Sequence, residues 1–160
     1  MGEESIQGIA EGIARSKSLE VLCINNCSLT SHGAALLARG LMQNATLRRL
    51  NVDHNEIGDK GLKELAGVMP HPTLISLSAN DNKISDAAMG AEGLAHLQEL
   101  HLNGNRITNK GALAFAQSID EDNCRLTFLD LQLNQVTKKG GDTIKAFLPE
   151  TIPGSVIVDY

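Results

Sequence analysis

Apolar residues along this chain follow a frame that neither a helix nor a simple alternating strand produces. From Leu97 to Gly111 the inward positions are Leu97, Leu100 and Leu102, then Asn105 and Ile107. Leu100 and Leu102 alternate at period two, as in a strand with one buried face. The chain must then bend, so that Asn105 and Ile107 also point to the core. The frame recurs as Leu19, Leu22, Ile24, Cys27, Leu29 and as Leu47, Leu50, Val52, Asn55, Ile57. It returns as Leu74, Leu77, Ala79, Asn82, Ile84 and as Leu126, Leu129, Leu131, Asn134, Val136. A small residue stands four places after the last apolar one in every copy: Gly33, Gly61, Ala88, Gly111 and Gly140. One copy cannot bury its own apolar side, so copies must stack.

Between frames the apolar spacing becomes helical. Helices are expected over roughly Ser5–Arg15, His32–Gln43, Asp59–Met69, Asn109–Glu121 and Lys138–Phe147, with Ser31, Ser85 and Thr108 as caps. Pro70 and Pro72 should stop the helix before them and return the chain to a strand. Successive first leucines are 28, 27, 23 and 29 residues apart. The third unit is thus short, and Ala87 to Gly93 leaves room for a turn or two, which predicts a notch on the helix side. Ile6, Ile9 and Ile13 copy the helix positions Leu62, Leu65 and Met69, with Ser5 in the place of Gly61. The chain therefore opens within a unit (residues 1–18), continues with units starting near 19, 47, 74, 97 and 126, and closes on a strand near 155–159. A single domain over 1–160 is expected, either a piece of a longer array or a short solenoid whose end layers a partner covers.

The pattern LxxLxLxx(N/C)x(L/I)xxxG followed by a helix resembles the leucine-rich repeat, in its long, ribonuclease-inhibitor-like form. That class includes the repeat domains of NOD-like receptors and of the GTPase activator of Ran. The resemblance covers nearly the whole chain. It implies an α/β, right-handed solenoid shaped like a horseshoe, with parallel strands on the concave face, helices on the convex face, and protein partners. The general crossover rule gives the same hand. In such a stack the Asn column, Asn55, Asn82, Asn105 and Asn134, is expected to bond backbone groups left open where each strand bends away.

Composition narrows the function classes. The 160 residues carry a net charge of −5, with 2% aromatic residues and no Trp. Few rings fit a core tiled by Leu, Ile and Ala, and leave no stacking platform for single-stranded nucleic acid. The acidic balance disfavours a phosphate backbone, and no apolar run is long enough to span a membrane. Neither a nucleic-acid nor a membrane partner is expected. Cys23, Cys27 and Cys124 are odd in number and lack a paired spacing, which points to a reducing, cytoplasmic setting. Cys27 takes the Asn slot, a position expected to be buried. Asn26-Cys-Ser and Asn44-Ala-Thr match the glycosylation sequon and would stay bare in that compartment.

Strand alternation sends three rows outward. They are Val21, Arg49, Ser76, Glu99, Phe128; then Cys23, Asn51, Ser78, His101, Asp130; then Asn25, Asp53, Asn80, Asn103, Gln132. Arg49, Asn51, Asp53, Ser78, Glu99, His101, Phe128, Asp130 and Gln132 are the candidate protein-binding residues, with Phe128 an exposed anchor and Leu133 near it. The acidic cast of this face contrasts with a basic rim of Lys60, Lys83, Arg106, Lys110, Lys138 and Lys139. Candidate chemistry is thin. His54 with Asp81, and His101 with Asp130, fall in adjacent layers, and Ser78 beside His101 or Cys23 are the available nucleophiles. An open sheet supplies no oxyanion donors or water-excluding pocket, so neither catalysis nor a cofactor nor a metal site is expected. The expected function is a protein-binding module. Regulation of a small GTPase and a purely architectural spacer are the alternatives, and open edges also allow self-association.

Overall fold

A computed structural model of the chain describes residues 2–149 and 155–158. The elements run α1 (Glu3–Arg15), β1 (Val21–Cys23), α2 (Ser31–Leu41), β2 (Arg49–Asn51), α3 (Gly58–Ala66) and β3 (Ser76–Ser78). Two short 3-10 segments, Asp86–Ala88 and Glu92–His96, precede β4 (Glu99–His101). Then come α4 (Asn109–Gln117), β5 (Phe128–Asp130), α5 (Lys138–Phe147) and β6 (Ser155–Ile157). The strands form one parallel sheet in sequence order, so each coil pairs only with the coils before and after it. Leu22, Leu50, Leu77, Leu100, Leu129 and Val156 share one register line.

Each strand is only three residues long because the inward turn follows at once. Behind the sheet, Val52, Ala79, Leu102 and Leu131 form a buried line, and Leu29, Ile57, Ile84, Ile107 and Val136 another. Leu37, Leu41, Leu62, Leu65 and Ile144 close the core from the helix side. A fully buried aliphatic side chain of this size stabilises by roughly 1.5–3 kcal/mol. One ring does enter the stack: Phe115 of α4 is wholly buried. Its helix packs against the first 3-10 segment, a layer with less helix to fill the space.

The Asn column bonds as its spacing requires. The Asn105 side-chain amide donates to Ala79 O at 3.1 Å and Leu102 O at 2.9 Å. Its Oδ1 accepts from the N–H groups of Asn82 and Ile84, both at 3.0 Å. Asn55 does the same for Ile24 O, Val52 O, Cys27 N and Leu29 N. Cys27 is only half-buried, and its Sγ donates to Asn25 O at 3.2 Å, a contact within its own turn. The small-residue column has a steric cause. A Cβ at Gly61 would meet Ile57, one at Gly111 would meet Asp86 and Ile107, and one at Gly140 would meet Asn109 and Val136. Ala88 replaces glycine where a 3-10 turn stands in for the helix.

Several expectations need correction. Ser31 lies inside α2, whose N-cap is Thr30 without a side-chain bond, whereas Ser85 and Thr108 cap as expected. The helices α2, α3 and α4 stop short of Gln43, Met69 and Glu121. At the end of α4 the Ser118 hydroxyl bonds back to Phe115 O at 2.8 Å, and a turn from Asp120 to Asn123 follows. The sequon asparagine Asn44 is buried: its amide donates to Ile13 O at 2.8 Å, and its Oδ1 accepts from Leu47 N at 2.7 Å. The notch exists. A groove of about 520 Å³ lies where the third unit lacks a helix, lined among others by Lys63, Met69, Pro70, Gly90, Glu92 and His96. Among the described residues no helix is long and apolar enough to cross a membrane.

Candidate functional site

The register places the outward residues in true rows across the strands. Arg49, Ser76, Glu99 and Phe128 are successive partners in one row, and Asn51, Ser78, His101 and Asp130 in the next. Side-chain size varies along them. Ser76 is buried at 7% exposure, and with Ser78 it leaves a shallow hollow between larger neighbours. This depression, about 280 Å³, is lined by Val21, Cys23, Arg49, Asn51, Ser78 and His101 around Leu50 and Ser76. Val21 stands 49% exposed at its edge.

The nine candidate residues divide by what already holds them. Asp53 Oδ1 accepts from the Ser78 hydroxyl at 2.7 Å and from Asn80 N at 2.8 Å, which ties two layers together. Ser78 Oγ in turn accepts from the Asn80 amide at 3.1 Å. The Ser78 proton is thus aimed at Asp53, away from any role as a nucleophile beside His101. Asn51 Oδ1 accepts from Asp53 N at 2.8 Å, and Asp130 Oδ1 from Gln132 N at 2.9 Å. These four residues serve the sheet as well as facing out from it. Among the described residues, the side chains of Arg49, Glu99 and Gln132 make no hydrogen bond or ion pair.

His101 and Asp130 are register partners without a hydrogen bond between them; the imidazole instead lies against Phe128, with ring centroids 5.1 Å apart and planes at 40°. Phe128 is half-buried rather than fully exposed, because that ring contact covers part of it. His54 does meet Asp81, Nδ1 to Oδ2 at 3.2 Å, with both side chains about half exposed (55% and 48%). Groups with shifted acidity lie elsewhere. Burial pushes the Cys124 thiol up, and hydrogen bonds from the Asn123 side chain and Asp122 backbone hold Asp120 below the usual carboxylate range. Among the described residues no group of three His, Cys, Asp or Glu is placed to hold a metal ion.

The family described as Leucine Rich repeat matches three segments of the chain, residues 43–66, 93–116 and 122–145. "NACHT, LRR and PYD domains-containing protein 5" of Mus musculus is 24% identical over 145 residues, covering 86% of this chain. The ribonuclease inhibitor of Sus scrofa is 33% identical over 73 residues, covering 45% of this chain. The chain carries leucine-rich repeats, and its relatives are consistent with the ribonuclease-inhibitor-like class. It spans 12% and 16% of the lengths of those two relatives. Among solved structures, internalin C2 of Listeria monocytogenes superposes with a TM-score of 0.52 at 19% identity, over 86% of this chain and 59% of that one, a likeness of fold. Leucine-rich repeats of this kind are typical of protein-interaction modules.

Two further columns hold the repeats together and escaped the reading of the sequence. Three places before the first leucine of a unit, Ser16, Asn44 and His71 each accept from the N–H of that leucine, at 3.0, 2.7 and 3.0 Å. His71 Nδ1 also accepts from Thr73 N at 3.2 Å, so the ring proton sits on Nε2 and points to Leu41 O at 3.0 Å. On the far rim the Asp59 carboxylate takes the N–H and hydroxyl of Ser85, and Asp86 those of Thr108. Asn109 repeats this with the N–H of Thr137 at 2.9 Å. Both columns carry a sequence signal, a polar residue at fixed distance from most first leucines, although Leu94 interrupts the first column and the residue type changes from coil to coil.

Proposed function

We propose that the chain is a protein-binding module whose contact surface is the concave strand face and its adjoining loops. Arg49, Asn51, Asp53, Ser78, Glu99, His101, Phe128, Asp130 and Gln132 form that surface. One observation carries the reading. Parallel strands hold chemically different side chains in register around a hollow floored by Ser76, with the His101–Phe128 ring pair on one side and Arg49 on the other. A paired ring is a pre-ordered anchor, since little rotamer freedom remains to be lost on binding. Arg49 and Glu99, unpaired on opposite sides of the hollow, favour a partner that presents a carboxylate to the first and a cation to the second. Such exposed charges act mostly on encounter rate and orientation. A relative that is by name an inhibitor of ribonuclease supports the same class of function.

Photo-crosslinking from chosen positions tests this. A benzophenone side chain in place of His101 should capture discrete protein adducts in an extract of the source cells. The same group in place of Leu113, exposed on the helix side, should capture few. Equal capture from both positions, or capture from Leu113 alone, overturns the assignment of the strand face.

A further inference from the structure

The basic rim expected from the sequence is not uniform. Lys83 Nζ pairs with Glu56 at 2.9 Å, which neutralises that one cation of the rim, whereas Lys60 is exposed. In the last two coils Arg106, Lys110, Lys138 and Lys139 are exposed and, among the described residues, make no ion pair. Thr108 bridges to Gln135, and the Asn109 amide donates to the Thr137 hydroxyl at 3.0 Å. The two loops therefore run side by side, and the offset sets Leu133 in the layer beside Arg106. Leu133 is 69% exposed, in a left-handed backbone conformation with φ of 52°.

The carboxylate column thins out here too. Asp59 and Asp86 give way to the neutral Asn109, and the first turns of α4 and α5 hold no acidic residue. The Asp86 carboxylate has both oxygens bound by Thr108, and Asp142 lies within α5. A cluster of uncompensated cations in a chain of net charge −5 marks a local preference for an anion.

We propose that this rim, Arg106, Lys110, Lys138 and Lys139 around Leu133, is a second docking surface, separate from the strand face, for an acidic protein segment that carries an aliphatic side chain. Leu133 gives that side chain an apolar contact, while the cations hold the flanking carboxylates. A long nucleic acid fits less well. The neighbouring strand face carries Asp53, Glu99 and Asp130, which repel an extended polyanion, and few rings are available to stack on bases.

Fluorescence anisotropy on the full chain provides the test. The probe is a dye-labelled peptide of Glu and Gly with one central Leu, titrated at about 50 mM and about 300 mM NaCl, where screening differs strongly. Binding should be measurable at low salt and weaken about tenfold or more with the joint change Lys110→Glu, Lys138→Glu, Lys139→Glu. Leu133→Ser should weaken it several-fold at either salt, and Arg39→Gln, exposed on α2 and outside both proposed surfaces, should leave it unchanged. If the triple reversal does not fold, Lys138→Gln with Lys139→Gln replaces it, with a loss in the same direction. The proposal is overturned if the lysine variants bind as the parent does, or if Arg39→Gln costs as much. Tighter binding of a single-stranded oligonucleotide of equal charge, or of phosphatidylserine vesicles, overturns it as well. None of these results bears on capture from position 101, so this surface and the strand face stand or fall separately.

Discussion

Asn105 shows how much one side chain can do. It fills three carbonyls and two amides from two coils, at 7% exposure and out of reach of bulk water. Removing the amide leaves those groups buried without partners, at roughly 1–3 kcal/mol for each that stays dry. Asn105→Ala should therefore cost about 3 kcal/mol or more in urea unfolding. Asn134→Ala, at a half-buried position where water can replace part of the loss, should cost measurably less. The Asn column was legible because its residue type and spacing repeat. The role of Asn44 was not legible: a sequon is a property of three adjacent residues, whereas the burial of Asn44 depends on Ile13, a coil earlier. The ring pair of His101 and Phe128 was also missed, because register named the Asp130 neighbour and not the diagonal one.

Strand positions were legible at the scale of elements, since the alternation of Leu100 and Leu102 admits one reading. Helix ends were less so. They are set by local polar contacts, such as Ser118 folding back on Phe115, that compete with a helical apolar spacing running on to Ile119. Helix packing adds a constraint that periodicity does not carry. A Cβ on Gly40 of α2 would run into the backbone carbonyl of Ala10 in α1, whereas one on Gly12 of α1 meets nothing within 4 Å. Gly40→Ala should therefore destabilise by about 1–3 kcal/mol through overpacking. Gly12→Ala, at an exposed helical position, should stabilise by about 0.5–1 kcal/mol. Thermal unfolding followed by circular dichroism distinguishes the two signs. The short third unit belongs to this scale too: its length gap foretold the groove beside α3, while the pair of 3-10 segments that fills it was not in the spacing.

Across the whole molecule, everything outward follows from one arrangement inward. Because each coil sits on the next in fixed register, residues about 23 to 29 apart in sequence become neighbours on one face. The candidate face was legible to that extent. Its hollow and its division into sheet-serving and unpaired side chains were not, because they depend on which polar atoms find each other across layers, as Ser78 finds Asp53. The rim was legible as a charge pattern, while the neutralisation of Lys83 within it required the contact with Glu56. Solution NMR of the strand residues tests the stacking itself. Cross-strand NOEs between amide and α protons should link β1 to β2, β2 to β3 and onward to β6 in one parallel register, tying the Leu100 strand position to those of Leu77 and Leu129. NOEs of antiparallel pairs, or pairings that skip a coil such as β1 with β3, would contradict the stack and remove the rows on which both proposed surfaces stand.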